Sequence, residues 1–239
     1  MDYWRLCKDC GRQSMVAGSV VIAAALGGVA VITLVLCLAF RFIDPPASSL
    51  MISQMLSGRS IDHRWVPIER MSPNLIRAVV QSEDARFCSH SGIDLIELEA
   101  AARRSKSGDL AAIRGASTIS MQVVKNLFLW PDRSLARKGL EMVMTPVMEF
   151  VWPKRRILEI YLNVAEWGPG IFGAEAAARR HFGKPANRLT RREAALLAAA
   201  LPNPRSRRPA RPNRFLRKRA GRIARSAGWR GLDLRCVQG

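Results

Sequence analysis

The sequence predicts a mainly α-helical domain preceded by a single transmembrane helix, and three observations carry that prediction. From Gln13 to Phe40 no residue is charged, a run longer than the ~20 apolar residues that cross a bilayer. From about Met71 onward, helix-start signals recur at helix-length spacing. Sustained alternation of polar and apolar residues with period two, the mark of half-buried strands, is absent. At ~150 residues per domain, 239 residues leave room for one ordinary domain and an appendage.

Met15 to Phe40 reads MVAGSVVIAAALGGVAVITLVLCLAF, and in hydrocarbon a helix satisfies its backbone internally. A cleaved signal peptide would show an apolar stretch of ~7 to 15 residues and a small-x-small site, and a lipoprotein would place a small residue where Leu36 precedes Cys37. Neither pattern fits, so residues 13–40 are expected to be a retained anchor. Arg5, Lys8 and Arg12 precede it and Arg41 follows, which puts residues 1–12 in the cytoplasm and the rest outside by the positive-inside bias. Cys88 and Cys236 then lie in the outer compartment. Cys7-x-x-Cys10 lacks the further ligands of a structural zinc site.

Asp44-Pro45-Pro46-Ala47-Ser48-Ser49 opens a linker, 41–64. Ser72 as N-cap with Pro73 at the first helical position starts a helix bearing Leu75, Ile76, Val79 and Val80. Asp94 with Glu97 makes a capping-box-like start, and Ser117, Ser134 and Pro153 open further helices. Pro146 implies a kink or early break after Glu141. Thr190 with Glu193 caps Ala194 to Leu201.

Lys and Arg number 38 against 19 acidic residues, a net +19 with a pI near 11.2. Such a balance points to anionic partners, and an apolar fraction of 49% excludes a disordered basic chain. The tail, 206–239, is the most basic part: from Arg205 to Arg235 twelve Lys or Arg stand against Asp233 alone. Leu216, Ala220, Ile223 and Ala227 form a narrow apolar stripe, which fits either an interfacial helix on anionic lipid or a helix packed on the main domain. The outer compartment argues against nucleic acid as a partner.

The chemistry begins at Glu83-Asp84-Ala85-Arg86-Phe87-Cys88-Ser89-His90-Ser91-Gly92, a carboxylate pair at the end of an apolar helix. Partly apolar surroundings would raise one of these acids toward the range useful for proton transfer. The second block, Gly115-Ala116-Ser117-Thr118-Ile119-Ser120-Met121-Gln122-Val123-Val124-Lys125-Asn126, is a glycine-led turn into a helix. Helical spacing puts Thr118, Gln122 and Lys125 on one polar face. A helix amino terminus with a hydroxyl and a lysine cradles a phosphate or diphosphate, although the Gly-Lys-Ser/Thr ending of a nucleotide P-loop is missing.

Together these blocks resemble the first two signature motifs of the bacterial peptidoglycan glycosyltransferases (glycosyltransferase family 51), EDxxFxxHxG and GxSTIxxQxxKN. Arg137-Lys138-Gly139-Leu140-Glu141 is similar to the family's RKxxE, and Arg156 to Asn163 to its RILExYLN stretch. Glu166 to Lys184 resembles the fourth motif, and Leu189 to Leu197 with Leu201-Pro202-Asn203-Pro204 the fifth. The ordered motifs place the glycosyltransferase domain at 65–205. Pro153 departs from the family's usual serine before Lys154. The chain ends where class A penicillin-binding proteins would begin a transpeptidase domain, so the resemblance implies the monofunctional form.

The resemblance implies a lysozyme-like glycosyltransferase domain on the periplasmic face of the bacterial inner membrane. It implies polymerisation of lipid II into β-1,4-linked glycan with inversion at the anomeric carbon and release of undecaprenyl diphosphate. Carried over, Glu83 is the general base and Glu141 the second catalytic carboxylate. Ser117, Thr118, Gln122, Lys125, Arg133, Arg137 and Lys138 bind substrate, while Asp84, Phe87, His90, Gly92 and Asn126 are structural. On spacing alone, Arg137 and Glu141 could instead form only an exposed pair on one helix. The implied partners are lipid II, the growing lipid-linked glycan and membrane phospholipid, with cell-division or elongation proteins as further candidates. No cofactor is obligatory; a divalent cation is the one candidate, and no ligand cluster is visible in the sequence. Two other classes fit less: a lytic, lysozyme-like enzyme, which leaves the diphosphate-matching cations unexplained, and a noncatalytic basic scaffold at the membrane.

Overall fold

The computed structural model describes residue 24 and residues 27–104, 116–132, 134–225 and 231–238. They fall into two compact units, Met1–Ile43 and Asp44–Gly239. In the first, residues 27–40 are helical and expose Val29, Val31, Ile32, Val35 and Leu38. The predicted anchor begins at Gln13, and residues 13–23, 25 and 26 of it lie outside the described residues. Among the described residues no helix is long and apolar enough to cross a membrane.

The second unit is mainly helical. Helix α1 (Ser49–Leu56) is capped by the Ser48 hydroxyl, which accepts the Met51 N–H. The Ser49 hydroxyl lies 2.8 and 2.6 Å from the carbonyl oxygens of Asn126 and Leu129, and its one proton bridges them. The stretch 41–64 therefore includes a helix fastened to the domain, with Met51 and Gln54 buried. Its Pro-Pro-Ala-Ser-Ser lead reads as linker because turn composition also supplies a helix N-cap.

Helix α2 (Pro73–Glu83) starts at the Ser72 cap with Pro73 in the first turn. Helix α3 (Leu95–Arg104) is capped by Asp94, whose Oδ1 accepts the N–H groups of Ile96 and Glu97. Helix α4 (Ile119–Phe128) is capped by Thr118 and not by Ser117; the Ser117 hydroxyl accepts instead from Lys138. Helix α5 (Leu135–Val151) starts at Ser134 and continues through Pro146. The expected break does not occur: Pro146 is on the exposed side, where water can satisfy the carbonyl that proline leaves unpaired.

Helix α6 (Lys154–Val164) is the centre of the core, burying Ile157, Leu158, Ile160, Tyr161, Leu162 and Val164 and packing on α4. The helix is amphipathic, its apolar face turned inward and Lys154, Arg155, Arg156 and Glu159 on the half-exposed side. Two of its polar residues tie down the incoming chain: Glu159 accepts the Ile68 N–H at 2.9 Å and Asn163 the Val66 N–H at 2.9 Å. Helix α7 (Ala174–Phe182) and α8 (Arg191–Ala200) follow, α8 opening with the Thr190–Glu193 capping box. Buried alanines 194, 195 and 198–200 let α8 approach its neighbours closely.

The sequence shows no strand pattern, yet a small sheet is present. Its strands are β1 (Asp62–His63), β2 (Glu166–Gly168) and β3 (Ile171–Phe172), in the order β1-β3-β2, with β1 parallel and β2 antiparallel to β3. Strands of two or three residues are too short to display alternation. Gly170, at φ 71°, turns β2 into β3, and a Cβ there would lie 2.6 Å from the Ser60 carbonyl oxygen.

The basic tail folds back onto the domain. Helix α9 (Arg214–Arg225) packs on α8 and α2, burying Leu216, Ala220 and Ile223. Three positions of the apolar stripe thus face protein and not lipid; Ala227 lies outside the described residues. Farther on, Leu234 and Val237 are buried, Arg155 donates to the Val237 carbonyl at 2.8 Å, and Cys236 forms a disulfide with Cys88. Both cysteines follow the expected anchor in the sequence.

Candidate active site

Glu83 is the last residue of α2, and the chain leaves the helix at Asp84, whose backbone is at φ −162°, ψ 74°. Asp84 is buried and serves as a clamp. One carboxylate oxygen accepts the Ile119 N–H at 3.0 Å, and the other meets His90 Nε2 at 2.9 Å. Ile119 is the first residue of α4, so its N–H has no partner within the helix; Asp84 supplies one and draws the end of α2 to the start of α4.

The loop between them is shaped by the rest of the first motif. Phe87 is fully buried, with the Lys154 ammonium 4.3 Å above its ring. The Gly92 N–H donates to His90 Nδ1 at 3.1 Å, leaving His90 Nε2 to donate to Asp84. Gly92 has φ 94°, and a Cβ would come within 2.6 Å of Thr145 Cγ2, so both backbone and space require glycine. Thr118 is buried: its hydroxyl accepts the Met121 N–H and donates to the Gly92 carbonyl at 2.5 Å. Asn126 is also buried in α4.

This clamp brings Glu83 beside Gln122. The Gln122 amide donates to Glu83 Oε2 at 3.3 Å, and the Tyr161 phenol donates to the Gln122 carbonyl oxygen at 3.3 Å. Burial and the nearby Glu83 and Asp84 charges push the Tyr161 pKa well above its usual value. It therefore stays protonated and fixes which end of the Gln122 amide faces Glu83. Burial raises the Glu83 pKa, an effect offset in part by Gln122, Arg219, Ser82 and Arg207.

Glu83, Asp84, Ser117 and Thr118 line a cavity of about 200 Å³ together with Ser82 and Arg86. Lys138 of α5 reaches Ser117, donating to its hydroxyl at 3.1 Å, and lies 2.9 Å from Glu141 Oε2. Arg137 pairs with the other Glu141 oxygen. Glu141 and Arg137 are buried, so this is no exposed helix-surface pair. Burial, followed by the charges of Arg137 and Lys125, lowers the Lys138 pKa to about 8. Lys125, half-buried in α4, thus belongs to the same positive region. Arg133 lies outside the described residues.

Asp84, His90 and Asp94 place one ligand atom each within 4.8 Å of the others, but they do not fit a resident cation. Both His90 nitrogens are committed to Asp84 and Gly92, Asp84 also holds the α4 backbone, and Asp94 caps α3 while pairing with Arg86 at 3.1 Å. The trio is a hydrogen-bonded frame.

Residues outside the sequence-derived set enter the site: Ser82 and Arg86 on the cavity wall, Tyr161 through Gln122, and Arg207 and Arg219 by their charges. Tyr161 sits in the third motif but reads as core. Arg207 and Arg219 read as surface charge because they follow Glu83 by more than a hundred positions.

A carboxylate in a cavity beside a helix amino terminus, next to a cluster of Lys and Arg, defines a helical enzyme suited to acid–base chemistry on an anionic substrate. The chain belongs to the transglycosylase family, which it matches over residues 49–227. It is 55% identical over 205 residues to the biosynthetic peptidoglycan transglycosylase of Rhodospirillum centenum, covering 85% of this chain and 88% of that protein. Proteins of the same name from Agrobacterium fabrum and Caulobacter vibrioides are 50% and 47% identical over 192 and 189 residues. These alignments cover 80% and 79% of this chain and 84% and 82% of the relatives.

Proposed function

We propose that this chain polymerises lipid II into β-1,4-linked peptidoglycan glycan, with the growing lipid-linked strand as donor and lipid II as acceptor. The observation that carries the reading is the placement of Lys138. It joins Ser117, on the wall of the Glu83 cavity, to Glu141. On this reading a proton acceptor and a diphosphate-binding cation share one site, which suits inverting transfer from a diphosphate.

Glu83 takes the proton from the acceptor 4-hydroxyl as that oxygen bonds to the donor anomeric carbon from the face opposite the diphosphate. The C–O bond to the diphosphate breaks, the diphosphate keeps the electron pair, and Glu83 returns its proton to solvent. Negative charge grows on the leaving group, so Lys138, Arg137 and Lys125 stabilise the transition state more than the ground state. Glu141 orients Lys138 and Arg137 toward that diphosphate. These cations neutralise the leaving group without a step routed through a divalent ion.

Lipid II is embedded in the bilayer, and the apolar exterior of α5 and α3 suits work at its surface. Leu135, Val143, Val147 and Phe150 are exposed on α5, and Leu95 and Ile96 on α3; exposed large apolar side chains on these helices suit contact with a membrane. With residues 13–40 as a single-pass anchor, the domain works on the outer face of the inner membrane. The test is incubation of purified full-length protein with labelled lipid II. Long glycan strands support the reading. Cleavage of preformed glycan without synthesis would indicate the lytic class, and inertness toward both a scaffold.

A further inference from the structure

We propose that Arg219, on the basic tail helix α9, is a positioning residue for Glu83 and acts through the Ser82 hydroxyl. The inference rests on reading Glu83 as the proton acceptor and adds a component from outside the five motifs.

The geometry is a two-step hydrogen-bonded chain. Arg219 Nη2 donates to Ser82 Oγ at 3.4 Å, and Ser82 Oγ donates to Glu83 Oε1 at 3.4 Å. A hydroxyl carries one proton, and Ser82 has a second acceptor within reach, the Ala198 carbonyl of α8 at 3.4 Å. A guanidinium donating to the Ser82 oxygen polarises its O–H, and the charged carboxylate is the stronger acceptor of the two. Arg219 therefore biases Ser82 toward Glu83. With Gln122 on the other oxygen, both oxygens of the carboxylate are then held.

Arg219 is itself held for this role. It is half-buried, and its Nε is buried with no hydrogen-bond partner among the described residues. A desolvated guanidinium nitrogen is costly to keep for packing alone. The helix that carries it is anchored by buried Leu216 and Ala220. Arg207 adds a second positive charge, fixed by its bond to the Ala199 carbonyl at 2.8 Å and its place 5.3 Å over the Phe215 ring.

Among the described residues, Arg86, Asp94 and Glu97 line the same cavity as Glu83, and other groups act on its carboxylate. They are Gln122 from α4, Tyr161 from α6 through Gln122, Asp84 and Ser82 beside it, Arg219 from α9, and Arg207 from the segment before α9. The two arginines oppose the upward effect of burial on the Glu83 pKa. Removing Arg219 therefore raises that pKa, and a base that must be ionised then works only at higher pH.

The test uses full-length Arg219→Met and Arg219→Lys in detergent with labelled lipid II, recording kcat/KM against pH. The Met variant should move the acid limb upward by about 1 pH unit, the low end of the effect of a neighbouring opposite charge. Below the limb this is about a tenfold loss, recovered at high pH. The Lys variant, which keeps the charge, should recover most of the shift. A Met variant with lowered rate at every pH and an unmoved limb would overturn the inference. If the wild type makes no glycan, the functional reading fails separately. The inference is then decided by the Glu83 carboxyl titration, followed by NMR on carbon-13-labelled glutamate and assigned with Glu83→Gln. A higher Glu83 pKa in Arg219→Met supports it, and an equal one refutes it.

Discussion

The Lys138 ammonium lies 2.9 Å from a Glu141 carboxylate oxygen and donates to Ser117 across the cavity wall, yet its pKa is lowered to about 8. A lysine so placed is charged below that pH and neutral above it. If it holds the donor diphosphate, affinity for a diphosphate-bearing donor analogue is full below about 8 and falls as pH rises through it. Isothermal titration of the analogue between pH 6 and 9.5 measures this. Lys138→Arg, charged throughout, should flatten the alkaline fall, and a fall of unchanged size in that variant would remove Lys138 from the explanation.

Replacing Glu83 by Gln keeps size and hydrogen bonding but removes the proton acceptor. Glycan synthesis should fall by roughly 10²- to 10⁴-fold, the usual cost of losing general-base catalysis, with donor-analogue affinity retained. Because burial raises the Glu83 pKa, the acid limb of the wild-type rate profile should lie above the ordinary carboxylate range. Near-normal synthesis by the Gln variant would leave the proton acceptor unassigned.

Lys125→Ala should lower donor-analogue affinity and turnover together, since its charge acts in both ground and transition states. This contrasts with Glu83→Gln, where only turnover changes. Synthesis and affinity measured on the same preparations separate the two roles; a Lys125 variant normal in both would exclude it from the site.

The Cys88–Cys236 bond joins residues 148 apart and holds the end of the chain against the loop that follows Glu83. Opening it should destabilise the domain by about 2–4 kcal/mol, the typical contribution of a disulfide. Cys88→Ser with Cys236→Ser should show a lowered Tm that reductant does not lower further, whereas the wild type falls to the same Tm only when reduced. Equal Tm values for oxidised wild type and the double variant would show that the bond contributes no stability.

Deleting residues 1–40 should reduce turnover on bilayer-embedded lipid II more than on detergent-solubilised lipid II. The anchor then acts by keeping the domain at the surface where its substrate lies. Equal losses in both formats would argue against that role.

Elements whose physics is local are legible from residue order alone. The Ser72, Ser134 and Thr190–Glu193 caps are legible because a side-chain oxygen and the orphan N–H groups it serves lie within three residues of each other. Ser117 and Thr118 are equivalent caps on local grounds; in the fold Thr118 caps α4 and Ser117 accepts from Lys138 of α5. Pro146 reads as a break because sequence does not reveal which face of α5 meets water. The motif residues were visible as residue types at fixed spacing, but their contacts were not. Only the tertiary structure joins Asp84 to the start of α4, Glu83 to Gln122, Lys138 to Ser117 and Cys88 to Cys236. It alone turns the tail's arginines from apparent surface charge into neighbours of Glu83. Hydrogen bonds, electrostatic fields and disulfides depend on distance in space, and that distance is set by the packing of α4 on α6 and of α2, α8 and α9 on one another, not by separation along the chain.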